Sequence, residues 1–390
     1  MSIKKRIHDL FLALIYFERR IDPYYRDTFD KIFREPISAL VQALINVKRK
    51  DDHLQICEEK LLPDEKEITG SIIKQMTMFT HKHYEHSFAL RAGNTKTYGV
   101  VKGEFEILPN LAENLRQGVF RYPKTYPAWV RFAGPGPLAP ADMKDNGVLS
   151  IGIKLMGVEG EKLLDEKWTQ DFTGISAPTF TTPNIIENLK LQKQVYEGTP
   201  LFYFINPFDS HLLDGIMQGL FSRTQTSPLE VQYYSCVAYL FGEGRAVHYS
   251  IKPCSDEQTK IPRKPSANYL REAMAKTLSK KEVTFDFMIQ FQTDAYRMPI
   301  ENASVEWPEK LSPFVPVARL HLPVQKFDSR GQMAFAENLS YNPWHCIADH
   351  RPLGNQNRAR KAIYFALSEL RLTMNGEARI EPTGAEMFDD

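Results

Sequence analysis

Val283, Phe285, Phe287, Ile289 and Phe291 occupy every second position of one short segment. A period of two marks a β-strand with one buried face, because successive side chains point to opposite sides. Strand-like runs recur along the chain: Tyr98–Ile107, Ala128–Ala133, Leu149 through Leu155, Val231–Phe241, Ala246–Lys252 and Val315–Leu322. Gly242-Glu243-Gly244, between two of them, reads as a hairpin turn. Helical stretches do not alternate with these strands, so a parallel sheet of βαβ units is excluded. Evenly spread strands of this kind predict an antiparallel barrel. The 43% hydrophobic content supports a sizeable core, and 24 Phe with 17 Tyr suit a β-rich fold around a bulky pocket.

Helical patterns flank the strands. Ile3, Ile7, Leu10, Phe11, Leu14 and Phe17 recur at helical spacing, as do Phe29, Ile32, Phe33, Ile37, Leu40, Val41 and Leu44, with Pro36 as a kink or restart. These N-terminal helices either dock on their own domain or lie on lipid, where a basic, Phe/Leu-rich helix can collect an apolar substrate. A charged stretch from Lys48 to Lys66 leads to the main body. The expected division is therefore a helical extension with linker over 1–66 and a barrel domain over 67–390. A last helix, Asn357 to Met374, stops at Asn375-Gly376, which makes the fold class α+β.

Basic and acidic residues number 49 and 48, so no whole-chain charge attracts nucleic acid or an anionic membrane. Cys57, Cys236, Cys254 and Cys346 are scattered without a C-x-x-C pair, as expected of reduced thiols in a cytoplasmic protein, with membrane-peripheral contact left open. The first twenty residues imitate a signal peptide, but His8 and Asp9 interrupt the apolar run and no small-residue cleavage site follows. No other segment is apolar enough to span a bilayer. Nucleophile elbows, phosphate loops and His-Glu-x-x-His helices are absent from the sequence, and Gly134-Pro-Gly-Pro137 reads as a rigid loop. His211 and His248 have no second ligand at metal spacing.

The densest chemistry lies near the C-terminus. Arg360 and Tyr364 are one helical turn apart and share a face. A guanidinium at that distance favours the phenolate, and so does an iron centre. With Asn342-Pro-Trp-His345 and His350-Arg-Pro-Leu-Gly-Asn355 before it, this segment resembles the proximal-ligand motif of the catalase superfamily, most closely its short, allene-oxide-synthase-like branch. Earlier blocks resemble the same family in the same order. They are Arg91-Ala-Gly-Asn94-Thr95-Lys96-Thr-Tyr-Gly99, Val130-Arg131-Phe132, Asp171-Phe-Thr-Gly174-Ile-Ser-Ala-Pro178-Thr-Phe180, and Val305-Glu-Trp307-Pro308.

The resemblance implies a catalase-like antiparallel barrel of about eight strands that binds haem b. Tyr364 would be the axial iron ligand, Arg360 its partner, and Arg91 and Arg131 the propionate contacts. Arg358 faces elsewhere, and His345, Trp344 and His350 read as structural. The distal side departs from the family: Asn94 stands where the catalytic histidine is expected, Ile175 and Ser176 replace an asparagine pair, and Ala133 replaces a serine. Thr95, one residue on, would serve no better as a base, and His81, His83 and His86 have no supporting spacing. An amide cannot shuttle a proton at neutral pH. The implied function is a haem enzyme that cleaves or rearranges organic, including fatty-acid, hydroperoxides, with Asn94, Thr95 and Arg360 as the candidate catalytic set. The alternatives are a catalase or peroxidase using hydrogen peroxide and a haem-binding protein without turnover. A homo-oligomer is compatible with all three.

Overall fold

The computed structural model describes residues 2–86 and 88–388. Its strands are β1 (Thr97–Ile107), β2 (Thr125–Ala133), β3 (Ser150–Met156), β4 (Thr169–Ile175), β5 (Tyr233–Tyr234), β6 (Tyr239–Leu240), β7 (Ala246–Pro253), β8 (Val283–Phe291) and β9 (Val315–Leu322). All pairings are antiparallel. The ring closes because β9 pairs with β1 while β5 bridges β4 and β7. Since β5 and β6 lie along one edge of β7, opposite Ile251 and Val247, they count as one broken strand, and the barrel is eight-stranded.

The run read as a continuous strand, Val231–Phe241, is thus two pieces. The break falls at Cys236, whose φ of 59° lies in the left-handed region. β4 carried no clean alternation in the sequence because both of its faces are buried. Phe172 enters the barrel, while Asp171 on the other face meets Lys154.

Phe287 sits at the centre of the barrel, its ring centroid 4.9 Å from Phe172 and 5.2 Å from both Phe105 and Tyr249. An eight-stranded barrel is just wide enough for side chains to fill. The aromatic residues expected to line a bulky pocket instead pack the interior, and a large ligand must bind outside the barrel wall. His350 belongs to this core: its Nε2 accepts from the Val119 N–H at 3.0 Å, and burial pushes its pKa down to about 4. Gly118 makes room for it, since a Cβ there would stand 2.2 Å from the ring.

Helices cover the outside: α1 (Ile3–Phe29), α2 (Glu35–Lys48), α3 (Glu65–His83), α4 (Ile185–Tyr196), α5 (Phe202–Ile205), α6 (Leu212–Phe221), α7 (Tyr269–Leu278), α8 (Arg330–Asn338) and α9 (Asn355–Asn375). The two N-terminal helices run on through a π-turn at Asp30–Arg34, and Pro36 falls in the first turn of α2, so the helix restarts there. Pro23 lies inside α1 and leaves the Arg19 carbonyl without its helical donor, a vacancy that the Thr224 hydroxyl fills at 2.8 Å. Helix α3, unread in the sequence, packs Ile72 against Ile185 of α4 and Ala359 and Ile363 of α9. α9 ends at Gly376, whose φ of 67° is the left-handed C-terminal stop. Among the described residues no helix is long and apolar enough to cross a membrane.

Candidate functional site on the barrel-facing side of helix α9

Residues 360, 364 and 371 fall on one face of α9, since four and seven residues are close to one and two turns. The Arg360 guanidinium lies 4.9 Å from the Tyr364 ring centroid. Its Nη1 donates to Asn357 Oδ1 (2.8 Å) and Tyr239 (3.4 Å), and its Nη2 donates to the Thr173 hydroxyl on β4 (2.8 Å), which stitches the helix to the barrel wall. Its Nε has no partner. Burial alone would lower its pKa, but the phenols of Tyr364, Tyr239 and Tyr249 raise it above the ordinary value. The cation is therefore fixed against an aromatic side chain able to carry negative charge.

Two turns along the same face, Arg371 is 3% exposed and makes one hydrogen bond, from Nη2 to the Leu339 carbonyl (3.2 Å), while its Nε has no partner. Arg91 also reaches this place. It pairs with Glu337 at 3.0 Å and donates to the carbonyls of Ala336 and Leu339 at the end of α8. Arg131 stands beside them on β2 and donates to the Asn94 carbonyl (2.8 Å) and the Thr97 hydroxyl (2.7 Å).

Burial depresses all three guanidiniums, and repulsion from neighbouring arginines adds to it for Arg131 and Arg371: Arg131 to about 9, Arg91 below its ordinary value and Arg371 well below. Against burial, Arg91 and Arg131 hold the Glu337 carboxyl below its usual range. The half-buried Arg91 and the buried Arg131 and Arg371 thus face one carboxylate, an excess of two positive charges. A desolvated excess of that size is costly unless an anion joins it. A ligand with two carboxylates, anchored at its other end by Tyr364, fits the donor set and the orphaned Nε atoms.

Asn94 lies at the start of β1 with φ 48°, half-buried, its carbonyl held by Arg131. The Thr95 hydroxyl donates to the Arg91 carbonyl at 2.7 Å, and the Ser176 hydroxyl accepts from the Leu149 N–H at 2.8 Å. Ala133 is fully buried, and Ile175, half-buried, adds only apolar surface. His81, His83 and His86 are solvent-exposed, and the ring of His83 is stacked on Phe79. A cavity of about 300 Å³ is lined by Leu90, Thr95, Thr97, Glu337 and Arg271 among others, but touches neither Arg360 nor Tyr364.

The remaining candidates fall outside this site. Arg358 is caged by Glu59, Glu65 and Glu301. His345 joins a buried ionic set, 2.8 Å from Asp171 and 3.0 Å from Asp165, with Lys154 paired to Asp171 at 2.8 Å. Trp344 donates to the Asn357 carbonyl at 2.7 Å. His248 is stacked on Trp307 with ring centroids 3.8 Å apart, and burial takes its pKa to about 3. Sequence reading missed Arg371 and Glu337. The signal for Arg371 was its seven-residue offset from Tyr364, whereas Glu337 gave none.

No protein-family model matches the sequence, and no curated protein matches it. Solved structures do. A fungal catalase is 16% identical over 87% of this chain and 70% of its own, with a TM-score of 0.58. Catalase A from Saccharomyces cerevisiae is 14% identical over 88% and 72%, with a TM-score of 0.62. A bacterial catalase is 15% identical over 88% and 70%, with a TM-score of 0.55. Sequence identity to these catalases is low, and the chain has the catalase fold.

Proposed function

We propose that this chain is a haem b enzyme that cleaves or rearranges organic hydroperoxides, fatty-acid hydroperoxides among them. The observation that carries the reading is the face of α9, with Arg360 over Tyr364 at one end and three guanidiniums short of two negative charges at the other. Tyr364, as phenolate, would hold the iron, while Arg91, Arg131 and Arg371 would meet the two propionates with charge-assisted hydrogen bonds. Bound haem supplies the redox chemistry for breaking an O–O bond.

The protein's own part follows from its side chains. Arg360 holds its positive charge against the Tyr364 ring, where it would favour an anionic ligand to the iron. Asn94 can orient a peroxide oxygen by hydrogen bonding, but its amide cannot take a proton from one oxygen and return it to the other. The nearby Thr95 and Ser176 hydroxyls are engaged by backbone. Without an acid–base group, disproportionation of hydrogen peroxide should fall by ~10²–10⁴-fold. Ile175, half-buried, leaves an apolar surface that suits an alkyl hydroperoxide.

The test is to load the protein with haem, record the Soret band, and add hydrogen peroxide and a polyunsaturated fatty-acid hydroperoxide separately. Loss of the conjugated-diene absorbance with little oxygen release is expected. Rapid oxygen evolution would favour a catalase, and consumption of neither substrate would leave a haem-binding protein.

A further inference from the structure

Helix α1 turns its polar side to the body and its apolar side outward. His8, Asp22 and Arg26 are the buried residues. Asp22 accepts from the Thr224 N–H at 2.7 Å, and Arg26 donates to the Leu220 carbonyl. Outward stand Ile3 (77% exposed), Leu10 (61%), Leu14 (54%), Phe17 (62%) and Tyr24 (89%), with Ile7 and Ile21 between them. From residue 3 to residue 24 the spacing of these seven runs 4, 3, 4, 3, 4, 3. A helix lying on lipid needs a broad stripe, whereas a strict 3.5-residue repeat makes the narrow seam of a coiled coil.

We propose that α1 is a dimerisation helix, pairing with α1 of a second copy of this chain as a parallel, two-stranded coiled coil. Ile7, Leu14 and Ile21 take the a positions; Ile3, Leu10, Phe17 and Tyr24 take d. Branched isoleucine at a favours two strands. The flanks agree. In the parallel register Arg6 faces Phe11 of the second copy and Arg20 faces Tyr25 of the second copy, placing an exposed guanidinium over an exposed ring in each case. Glu18 and Asp27 border the same seam beside Lys4, Arg6 and Arg20, so its rim is mixed in sign. Most contacts with the body, His8 and Asp22 at b with Arg19 and Arg26 at f, lie opposite the seam, while at its two ends Lys4 at e pairs with Glu197 and Asp27 at g pairs with Arg223. At roughly 100 Å² per fully buried apolar side chain, covering the seam with Phe11 and Tyr25 removes on the order of 1,000 Å² from the two copies, enough for a specific interface.

Sedimentation equilibrium of the full 44.9 kDa chain should give twice that mass at micromolar concentration. The double variant Leu10→Glu, Leu14→Glu should sediment at half the dimer mass with an unchanged circular-dichroism spectrum, because both side chains are largely exposed on the single chain. Leu14→Cys, oxidised, should form a disulfide between like residues of two copies. A wild-type chain that sediments as a monomer would overturn the proposal, as would a dimer that survives the double glutamate variant. A Leu14→Cys dimer that fails to cross-link would overturn the parallel seam. Co-flotation of a monomer with phosphatidylcholine–phosphatidylglycerol vesicles, lost in the glutamate variant, would assign the face to lipid instead.

Discussion

Arg371→Leu should move stability and cofactor affinity in opposite directions. Without an added anion, the Arg371 guanidinium is buried among Arg91 and Arg131 with one hydrogen bond and an orphaned Nε. Replacing such a group with an apolar side chain of similar volume stabilises by ~1–4 kcal/mol. The Leu339 carbonyl does not become orphaned, since Arg91 also donates to it. For a chain of 390 residues the unfolding entropy is about 0.8 kcal/mol/K. A gain of ~2 kcal/mol then raises the midpoint by about 2–3 °C. The same substitution removes a charge-assisted hydrogen bond to a propionate, worth ~1.5–3 kcal/mol, so haem should bind about 10- to 150-fold more weakly. Differential scanning calorimetry of the haem-free protein and a haem titration followed at the Soret band measure the two quantities. A variant that is both less stable without haem and unchanged in affinity would refute the reasoning, because Arg371 would then be a structural residue already satisfied by the protein.

Tyr364→Phe should abolish the spectrum of a ferric tyrosinate while leaving the fold intact; an unaltered spectrum would exclude Tyr364 as the ligand. Asn94→His should raise oxygen release from hydrogen peroxide by one to several orders of magnitude, and histidine tolerates the left-handed backbone at this position better than most residues. No increase would show that Asn94 does not face the reacting oxygen. His211 lies 3.0 Å from Glu187 and 3.5 Å from Asp214. Burial alone would lower its pKa, but Asp214 and Glu187 lift it to about 9. A raised pKa stabilises the fold in full below the unfolded value of about 6.5 and loses that contribution as pH rises through 9, an effect of about 2–3 kcal/mol. His211→Asn should flatten the fall in thermal midpoint between pH 6.5 and 9, and an unchanged slope would assign that fall to other groups.

Alternation was legible wherever one strand face meets the barrel interior and the other does not. The bounds of β8 and β9 match the expected runs residue for residue, as Phe285 and Phe287 point inward and Thr284 and Asp286 do not. β4 was illegible as a strand because its outer face buries Asp171 in an ionic set, so no polar–apolar alternation survives. The break at Cys236 was also invisible, since a left-handed residue without glycine leaves no mark in composition. For the site, Arg360 and Tyr364 could be read from a single turn of one helix. The excess positive charge could not, because Arg91, Arg131, Glu337 and Arg371 come from four separated segments and only folding brings them together.

Periodicity identifies an apolar stripe but not the side on which the molecule lies. For α1 the stripe was legible and its orientation was not. The usual inference places apolar residues against the body, because burying them is the main favourable term in folding. Here the body offers polar groups: the Thr224 N–H and hydroxyl, the carbonyls of Gly219 and Leu220, and the Asn146 side chain that takes Arg19. Asp22, Arg26 and the carbonyl freed by Pro23 answer them. Turning the helix by half a turn would strand Asp22 and Arg26 away from these partners and set leucines against unsatisfied carbonyls, at ~1–3 kcal/mol for each polar group left unpaired. Polar satisfaction therefore fixes the inward face of α1 and leaves its apolar residues on the solvent side.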